Sequence, residues 1–321
     1  MYSLFKKLLF TLDPETTHNL AKRAAPILPL LGCKSISSPV LKASIGGTKL
    51  ENPIGLAAGF DKNGNMLGLA SALGFGFTEI GSVTSIPCKG NPRPRIFRLP
   101  KDESIINRMG LPNQGADAVA KRLAKTKDKI PYGINIAKTP DNYSPPYRSG
   151  IEDFLATFDK LKDFGKYIVF NLSCPNTAGG KTFEEPEVFK KLAKSVADVR
   201  KKMAAPKPIL IKISPDLEEK KLFALVESAC SFGFDGFVMT NTTLKRPNLK
   251  TGPFTVGKMG VGGLSGGALA KKADEQLSAV HQMAPDKILI GVGGIINFEG
   301  LLNKLSRGAS LFQIYTGLVY G

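Results

Sequence analysis

From residue 53 onward the chain alternates short apolar runs with amphipathic helical runs, and this alternation constrains the fold most. Runs that are apolar throughout predict strands buried on both faces, hence a parallel sheet with helices outside it. Eight strand–helix units in about 250 residues predict an α/β fold, specifically a (β/α)8 barrel. The predicted strands are 54–58, 77–82, 132–136, 167–172, 208–213, 236–240, 287–292 and 311–315, and the helical patterns include 153–164, 186–203, 217–232, 268–283 and 298–306.

A doubly wound open sheet is the rival architecture. Its usual signatures are a GxGxxG turn after the first strand or a GxxxxGK[ST] phosphate loop, and the sequence contains neither. One irregular insertion, 84–114, carries five prolines and a strand-like segment at 95–99. Because long loops on a barrel are functional or disordered, and this one contains Asn107, we expect it to be functional.

Residues 1–31 predict two short amphipathic helices, 1–12 and about 16–31, attached to a barrel domain of residues 32–321. Asp13 and Pro14 are suited to cap and begin the second helix. The first helix places Leu8, Leu9 and Leu12 on one face, so it suits either a membrane interface or the protein's own core. The chain reaches Gly321 just after the eighth strand, and we expect a barrel without a final helix.

The composition indicates a basic protein without a metal site. Lys and Arg number 44 and Asp and Glu 27, giving a formal charge of +17. Such a charge favours anionic partners, although a solvated basic surface explains it equally well. The four cysteines are widely spaced and predict reduced thiols in the cytoplasm, and two histidines without a Cys/His cluster argue against a metal. No apolar run approaches the ~18 residues of a membrane span.

Every predicted strand ends in polar or glycine-rich residues. The carboxyl ends of barrel strands form the face that carries active sites, and the turns after the last two strands commonly bind phosphate. Gly293, Gly294, Tyr315 and Thr316 occupy that position, with Gly266 in a further glycine loop. Two lysines, Lys62 and Lys212, also stand at strand ends, where a cation can balance an anionic ligand.

The segment 167–181 turns from a buried strand into a polar loop within a few residues. Cys174 lies in this loop between Ser173 and Pro175. A thiol titrates near ~8.5 and can act as a base when nearby groups lower its pKa; a buried inert cysteine is the alternative. Neutral amides offer donors and acceptors together and suit a planar ligand such as a pyrimidine, although each amide could instead cap a turn. The amides at the predicted mouth are Asn107, Asn171, Asn176 and Asn241.

Taken together, these motifs make the chain similar to the dihydroorotate dehydrogenases, FMN-dependent (β/α)8 barrels of pyrimidine biosynthesis. The resemblance runs nearly end to end, through segments 12–15, 52–62, 79–84, 94–99, 106–110, 171–177, 240–243, 263–266, 291–294 and 313–316. It implies oxidation of dihydroorotate to orotate, in which a base takes the C5 proton and a hydride leaves C6 for the flavin.

The resemblance also assigns roles to individual residues. Cys174 would be the base, assisted by Thr177. The substrate would be held by Lys62, Asn107, Asn171, Asn176, Asn241 and Thr242. FMN would be held by Ala57, Ala58, Gly59, Ser82, Asn135, Lys212, Gly266, Gly293, Gly294, Tyr315 and Thr316.

The electron acceptor divides this family into classes. The N-terminal helices and Arg108 resemble the membrane-associated, quinone-using class, in which His18, Arg98 and Tyr315 would line a quinone tunnel. That class typically carries serine as base, whereas Cys174 and the segment 111–113 resemble soluble classes that use fumarate or NAD. We expect a quinone as acceptor, and a peripheral protein on the inner face of the cell membrane.

Two interpretations from other classes remain. The tRNA dihydrouridine synthases also combine a flavin barrel with an Asn-x-x-Cys-Pro turn, and the +17 charge suits RNA. That family adds a C-terminal RNA-binding domain, and no residues follow Gly321 to form one, so we expect no nucleic-acid partner. A membrane-surface scaffold would explain the first helix but not the polar strand ends.

Overall fold

The computed structural model describes residues 2–24, 38–127, 130–143, 149–174, 176 and 182–321. The strands are β1 (Ala43–Ile45), β2 (Thr48–Leu50), β3 (Ile54–Leu56), β4 (Phe77–Val83), β5 (Ile96–Leu99), β6 (Ser104–Asn107), β7 (Tyr132–Ala137), β8 (Tyr167–Asn171), β9 (Ile209–Ile213), β10 (Gly236–Met239), β11 (Gly263–Gly266), β12 (Ile288–Val292) and β13 (Leu311–Ile314). The helices are α1 (Tyr2–Thr11), α2 (Pro14–Ala24), α3 (Leu67–Ala72), α4 (Gly115–Leu123), α5 (Gly150–Leu161), α6 (Pro186–Arg200), α7 (Glu219–Ser231), α8 (Pro253–Met259), α9 (Ala270–Met283), α10 (Phe298–Ser306) and α11 (Thr316–Tyr320).

Eight parallel strands close into a barrel in the order β3, β4, β7, β8, β9, β10, β12, β13. The barrel closes where Phe312 of β13 pairs with Ile54 of β3. All eight strands predicted from the sequence are present, with bounds that agree within two residues. The predicted (β/α)8 barrel is therefore confirmed.

Two apolar layers stabilise the barrel, because its strands are buried on both faces. One layer lies between the strands and the surrounding helices, and Phe158 and Phe170 belong to it. The other fills the barrel interior and includes Phe77, Val169 and Leu210. The hairpin formed by β1 and β2 contributes apolar side chains to this interior layer. That hairpin was not predicted, because its two three-residue strands precede the strand–helix alternation and give too short a pattern to recognise alone.

The irregular insertion forms an ordered part of the structure. Its segment β5 pairs antiparallel with β6, and β6 pairs antiparallel with β11. The strand-like segment at 95–99 is thus confirmed as β5. The pairing with β11 was not predicted, since it joins segments that are far apart along the chain. It fixes Asn107 opposite Gly263 and brings the glycine loop to the insertion.

Helices α1 and α2 lie against this small sheet. The N-cap predicted for the second helix is present, because the Thr16 amide donates to Asp13 Oδ1 at 2.9 Å. Glu15 of α2 is buried and pairs with Arg95 at 2.7 Å and with Arg93 at 3.0 Å. The predicted continuation of this helix, 25–31, lies outside the described residues.

The division into domains 1–31 and 32–321 stays a prediction. The short helix α11 follows the last barrel strand. Within the described part of the chain, no helix combines the length and apolar character needed to cross a membrane.

Candidate active site

A cavity opens at the carboxyl ends of the barrel strands, beneath the sheet of β5, β6 and β11. The structure brings most of the predicted site residues to its wall. These are Ala57, Ala58, Gly59, Lys62, Ser82, Asn107, Asn171, Cys174, Asn176, Lys212, Asn241, Thr242, Gly266, Gly293, Tyr315 and Thr316. Asn135 and Gly294 do not line the cavity itself, and the prediction for Thr177 lies outside the described residues.

The loop after β8 places the predicted base at the cavity. Cys174 is 8% exposed, lines the cavity and forms no disulfide. The loop before it is fixed by Asn241, whose Nδ2 donates to the Ser173 carbonyl at 2.9 Å and to Asn171 Oδ1 at 3.2 Å. These bonds tie the loop after β8 to the loop after β10, and so hold the thiol beside the amides.

Lys62 reaches the cavity from a loop that Asp61 organises. The two carboxylate oxygens of Asp61 accept bonds from four backbone N–H groups, at residues 63 to 66, immediately before α3. Lys62 Nζ donates to the Gly59 carbonyl at 2.6 Å. Burial, followed by repulsion from Arg95, lowers the pKa of Lys62 to about 8. This ammonium group therefore titrates within reach of physiological pH.

Lys212 is a buried cation that lacks a partner within the described structure. It lies on β9, is 6% exposed and lines the cavity. Its pKa is lowered by burial, while the charge of Glu79 acts in the opposite direction. Nζ donates no hydrogen bond to any described residue. Because an unpaired buried ammonium is costly, the site fits a ligand that offers an acceptor or negative charge at this position, as the flavin of the predicted FMN would.

Glycines shape the end of the cavity near β11 and β12. Gly266 has φ +98°, and a Cβ there would lie 2.3 Å from the Glu103 carbonyl oxygen. Gly294 has φ +80°, and a Cβ there would lie 2.4 Å from Ala270 Cα, at the start of α9. Both positions thus require glycine. The backbone at these positions carries no side chain and lies beside the N-terminus of α9. Such a place fits the phosphate of the predicted cofactor.

A second cavity of about 690 Å³ lies between α1, α2 and the barrel. Its wall is predominantly apolar and includes Leu9, Phe10 and Ala21 on the helices. The residues predicted for a quinone tunnel are all found there, namely His18, Arg98 and Tyr315. Ile96, Ile105, Ile295, Tyr315 and Gly317 line both cavities, so the two spaces are neighbours.

Aromatic packing joins the predicted tunnel residues. The His18 ring lies edge-on to Phe60 at 4.9 Å, and Phe60 lies edge-on to Tyr315 at 5.7 Å. Burial, with the charges of Lys62 and Lys22, lowers the pKa of His18 to about 4. Burial raises the pKa of Tyr315 to about 12. Both side chains are therefore neutral at pH 7 and add no charge to the apolar wall.

The guanidinium of Arg98 forms hydrogen bonds to the segment that contains α1 and α2. Its Nη1 donates to the Leu12 carbonyl at 3.0 Å, and its Nη2 donates to Thr17 Oγ1 at 3.0 Å. The guanidinium also stacks over the Phe10 ring at 4.6 Å. Arg98 thus fastens the end of α1 to β5 while it lines the second cavity.

Sequence reasoning missed two polar side chains inside the barrel. Gln313 lines the first cavity and is 1% exposed, and Glu79 is fully buried below it. Gln313 Nε2 donates to Glu79 Oε2 at 2.6 Å. Lys212 was predicted as a site residue because it is a polar residue within an apolar strand. Gln313 and Glu79 share this pattern, but they were not predicted on that basis.

A closed parallel barrel with lysines, amides and a thiol converging at its carboxyl-terminal mouth defines the class of (β/α)8-barrel enzymes, with a candidate active site at that mouth. Residues 40–321 match the family described as dihydroorotate dehydrogenase. The chain belongs to the dihydroorotate dehydrogenase family. The predicted resemblance is thereby confirmed, and the tRNA dihydrouridine synthase and scaffold interpretations are not favoured.

Named relatives and a solved structure agree with this assignment. The chain is 38% identical to a dihydroorotate dehydrogenase (quinone) of Mycobacterium marinum, over 100% of this chain and 89% of the relative. It is 42% identical to one of Synechococcus, over 88% of this chain and 75% of the relative. The crystal structure of the Eimeria tenella enzyme in complex with ferulenol superposes with a TM-score of 0.86 at 30% identity, covering 96% of this chain and 87% of that one.

Proposed function

We propose that this protein oxidises dihydroorotate to orotate in pyrimidine biosynthesis, using FMN and passing the electrons to a quinone. The observation that carries the proposal is the pair of neighbouring cavities. One lies at the barrel mouth and gathers two lysines and four amides, the other is predominantly apolar and lies under α1 and α2, and Tyr315 lines both. Such a pair accommodates a polar substrate and an apolar acceptor at two separate places.

FMN, when bound, accepts the hydride from C6 of dihydroorotate and passes the electrons on to the acceptor. We assign its binding to the residues predicted for it that line the first cavity. Lys212 offers a positive charge without a protein hydrogen-bond partner among the described residues. Gly266 and Gly293 line this cavity with backbone that carries no side chain, and Gly294 follows Gly293 beside the start of α9, where the phosphate would bind.

Cys174 is the proposed base. Its thiolate would take the proton from C5 of the substrate as the hydride leaves C6, forming an S–H bond while the C5–H bond breaks. Cys174 lines the same cavity as Lys62 and four amides, so a substrate held by those groups would lie within its reach. The role of Thr177 in carrying the proton onward stays a prediction.

The substrate is a pyrimidine ring with a carboxylate, and the cavity offers groups for both. Asn107, Asn171, Asn176 and Asn241 would bond the ring's C=O and N–H groups, together with Thr242. Lys62 supplies a cation for the carboxylate. The amides form two hydrogen-bonded pairs, since Asn176 Nδ2 donates to Asn107 Oδ1 at 3.4 Å and Asn241 Nδ2 donates to Asn171 Oδ1 at 3.2 Å.

The second cavity favours a quinone over fumarate or NAD as acceptor. Fumarate carries two carboxylates and NAD a pyrophosphate, and both would lose hydration in a wall built of Leu9, Phe10, Phe60 and Ile96. A quinone with an apolar tail gains free energy from the same wall. Because quinones reside in lipid, we place the protein peripherally on the inner, cytoplasmic face of the cell membrane.

Anaerobic stopped-flow spectroscopy tests the proposal. The purified protein should contain FMN, dihydroorotate should bleach its absorbance, and a ubiquinone analogue should restore it faster than fumarate or NAD does. Reoxidation by NAD or fumarate alone would overturn the quinone assignment. A flavin that exchanges electrons with dihydrouridine-containing RNA, and does not respond to dihydroorotate, would overturn the reaction itself.

A further inference from the structure

A third cavity of about 270 Å³ lies between α2 and the barrel mouth, and the proposed reaction does not use it. Its outer rim carries exposed side chains, namely Asn19 and Lys22 on α2 and Asn65 and Gln114 in the loops before α3 and α4. Its inner end reaches Lys62, which also lines the first cavity. The third cavity therefore extends from a solvent-exposed rim to the cation assigned to the substrate carboxylate.

The wall of this third cavity is polar and positively charged. Among the described residues that line it, Lys22, Lys62 and Arg95 are cations, and Glu15 is the one carboxylate. Glu15 is already paired with Arg95 at 2.7 Å and with Arg93 at 3.0 Å. Neither Lys22 nor Lys62 forms an ion pair with a described residue. The cavity thus presents uncompensated positive charge, which favours an anion.

The effect of this charge is visible in two pKa values at the inner end of the cavity. Burial is the largest cause that lowers the pKa of His18 to about 4, and the charges of Lys62 and Lys22 lower it further. Burial is also the largest cause that lowers the pKa of Lys62 to about 8. Arg95 and Lys22 add to that effect, while nearby carboxylates oppose it. Both groups therefore lie close to several positive charges.

An aromatic wall separates the third cavity from the apolar second cavity. His18, Phe60 and Tyr315 line both spaces, and their rings pack edge-on at 4.9 Å and 5.7 Å. On its other side the third cavity shares Lys62 and Met109 with the first cavity. Met109 is unbranched and can change rotamer without moving the backbone. A movable Met109 leaves a polar molecule a path from the third cavity to the first that avoids the apolar one.

We propose that the third cavity is the entrance by which dihydroorotate reaches the active site and orotate leaves it. This proposal rests on the proposed function and adds a route for its substrate. Both molecules carry a carboxylate, and a path through the second cavity would remove water from that charge in an apolar wall. The third cavity surrounds it with amides and cations instead. A cleft lined by one sign of charge also raises the rate at which an oppositely charged ligand arrives.

The surrounding elements fit this assignment. The sheet of β5, β6 and β11 covers the first cavity from above, so a ligand must approach from the side. Helix α2 contributes Asn19 and Lys22 to the third cavity and Ala21 to the second. It accordingly lies between two routes, a polar one for the substrate and an apolar one for the acceptor.

Obstruction of the rim tests the route through its effect on rates. Stopped-flow mixing of orotate with the FMN-loaded protein gives association and dissociation rate constants from the change in the flavin spectrum. In Asn19→Trp/Asn65→Trp two indole rings narrow the rim from both sides. Association and dissociation should both slow by about tenfold, with the dissociation constant unchanged, because a barrier along a path alters neither end state. Asn303→Trp is the matched control, since Asn303 is exposed on α10 and lines none of the three cavities.

Reversal of one rim charge tests the electrostatic part. Lys22→Glu should slow the association of orotate by about tenfold at low ionic strength, and the difference should shrink as salt screens it. Dissociation should change little, because a charge at the rim acts mainly on the association rate. Lys194→Glu makes the same change of net charge on the outer helix α6 and should bind orotate as wild type does. Equal association rates in the two variants would show that the basic lining does not guide the substrate.

The outcomes separate a route from a damaged site. Unchanged rates in the double tryptophan variant would overturn the proposal and place the entrance elsewhere around the barrel mouth. Slower association with unchanged dissociation would also overturn it, since the substitutions would then have weakened the orotate site itself. FMN content and thermal unfolding are recorded for every variant, and Asn19→Trp and Asn65→Trp are measured singly if the double variant loses FMN. Failure of the wild-type protein to bind orotate would instead overturn the proposed function.

Discussion

At the scale of single residues, the thiol of Cys174 carries the most specific chemical prediction. General-base catalysis by one side chain contributes about 10²- to 10⁴-fold to a rate. Cys174→Ala should therefore bind orotate normally and reduce the flavin with dihydroorotate slower by about that factor. Cys174→Ser should retain weak activity with its optimum at higher pH, because a hydroxyl is a weaker acid than a thiol. Single-turnover flavin reduction between pH 6 and 10 measures both, and an undiminished rate in the alanine variant would remove Cys174 from this role.

Lys62 predicts a pH dependence of substrate binding that is separate from the chemistry. The pKa of Lys62 is lowered to about 8, so the ammonium loses its proton as pH rises through 8. Only the protonated form attracts a carboxylate. Orotate affinity should thus be constant below pH 8 and fall by up to about tenfold per pH unit above it.

Two variants assign that decline to Lys62. Lys62→Met should bind orotate weakly at pH 7 and show no further decline between pH 8 and 9.5. Lys160→Met, on the outer helix α5, should bind and titrate as wild type. If the decline persists unchanged in Lys62→Met, the titrating group is a different one. Cys174→Ser tests the thiol as that alternative.

Sequence reasoning located most of the candidate site because the barrel repeats one rule eight times. Residues at the carboxyl ends of parallel strands meet at one face, so Lys62, Asn171 and Lys212 could be grouped without a structure. Asn135 was placed correctly on its strand, but it lies one layer below the cavity, where it joins Ser82 to Glu79. Depth inside a barrel depends on register between strands, which a single sequence does not reveal.

At the scale of elements, helix α2 depends on a buried ion pair. Glu15 accepts from Arg95 Nη2 at 2.7 Å and Nε at 3.1 Å, and from Arg93 Nη2 at 3.0 Å. Burial alone would raise the pKa of Glu15, but the bonds and charges of Arg95 and Arg93 hold it below its ordinary value. The contact therefore stabilises α2 above pH 4.5 and is lost as pH falls through the lowered pKa.

Breaking this pair should separate the two half-reactions. In Glu15→Ala the buried Arg95 loses its carboxylate, a change of about 3 kcal/mol or more for a buried pair, and α2 should loosen from β5. We expect slower quinone reduction and faster proteolysis within the first 24 residues, while dihydroorotate still reduces the flavin at the wild-type rate. Glu187→Ala, which removes an exposed i,i+3 pair with Lys190 on α6, is the control. Equal loss of both half-reactions would contradict a separate role for the helices.

The elements also show where sequence patterns stop being informative. The barrel strands were predicted within two residues because each is a mainly apolar run within a regular alternation of strands and helices. The sheet of β5, β6 and β11 was found only in part, since β11 is the glycine-containing segment Gly263–Gly266 and its partner lies in a proline-rich insertion. Its pairing is decided by tertiary contacts such as those of Ile106 and Leu264, which belong to one small apolar cluster.

At the scale of the whole molecule, the barrel and the helical pair provide two different binding environments. The barrel mouth gathers the charged and amide groups, and the space under α1 and α2 gathers the apolar ones. Tyr315 lies between them and is uncharged at pH 7, and burial raises its pKa further from that pH, to about 12. This arrangement allows a water-soluble acid and a lipid-soluble acceptor to bind at two separate places.

The net charge of +17 gives a prediction for the intact protein at a membrane. Anionic lipid attracts basic proteins, and salt screens this attraction over a Debye length of about 10 Å at 0.1 M. Leu8 on α1 is 63% exposed and Leu20 on α2 is 43% exposed, so the same helices offer apolar side chains to the bilayer. We expect the protein to sediment with phosphatidylglycerol-containing vesicles, less as salt rises, and less with neutral phosphatidylcholine vesicles.

The contributions of the basic surface and of the exposed apolar side chains can be separated in the same assay. Leu8→Glu should weaken sedimentation with vesicles even at high salt, because it places a charge where an apolar contact is expected. Asp198→Ala, on the barrel helix α6, raises the net positive charge by one without altering either helix, and should bind anionic vesicles at least as well as wild type. Competition with tRNA at equal phosphate concentration distinguishes a membrane partner from nucleic acid. Binding that is insensitive to lipid charge, salt and Leu8→Glu would show that neither the basic surface nor α1 brings this protein to its quinone.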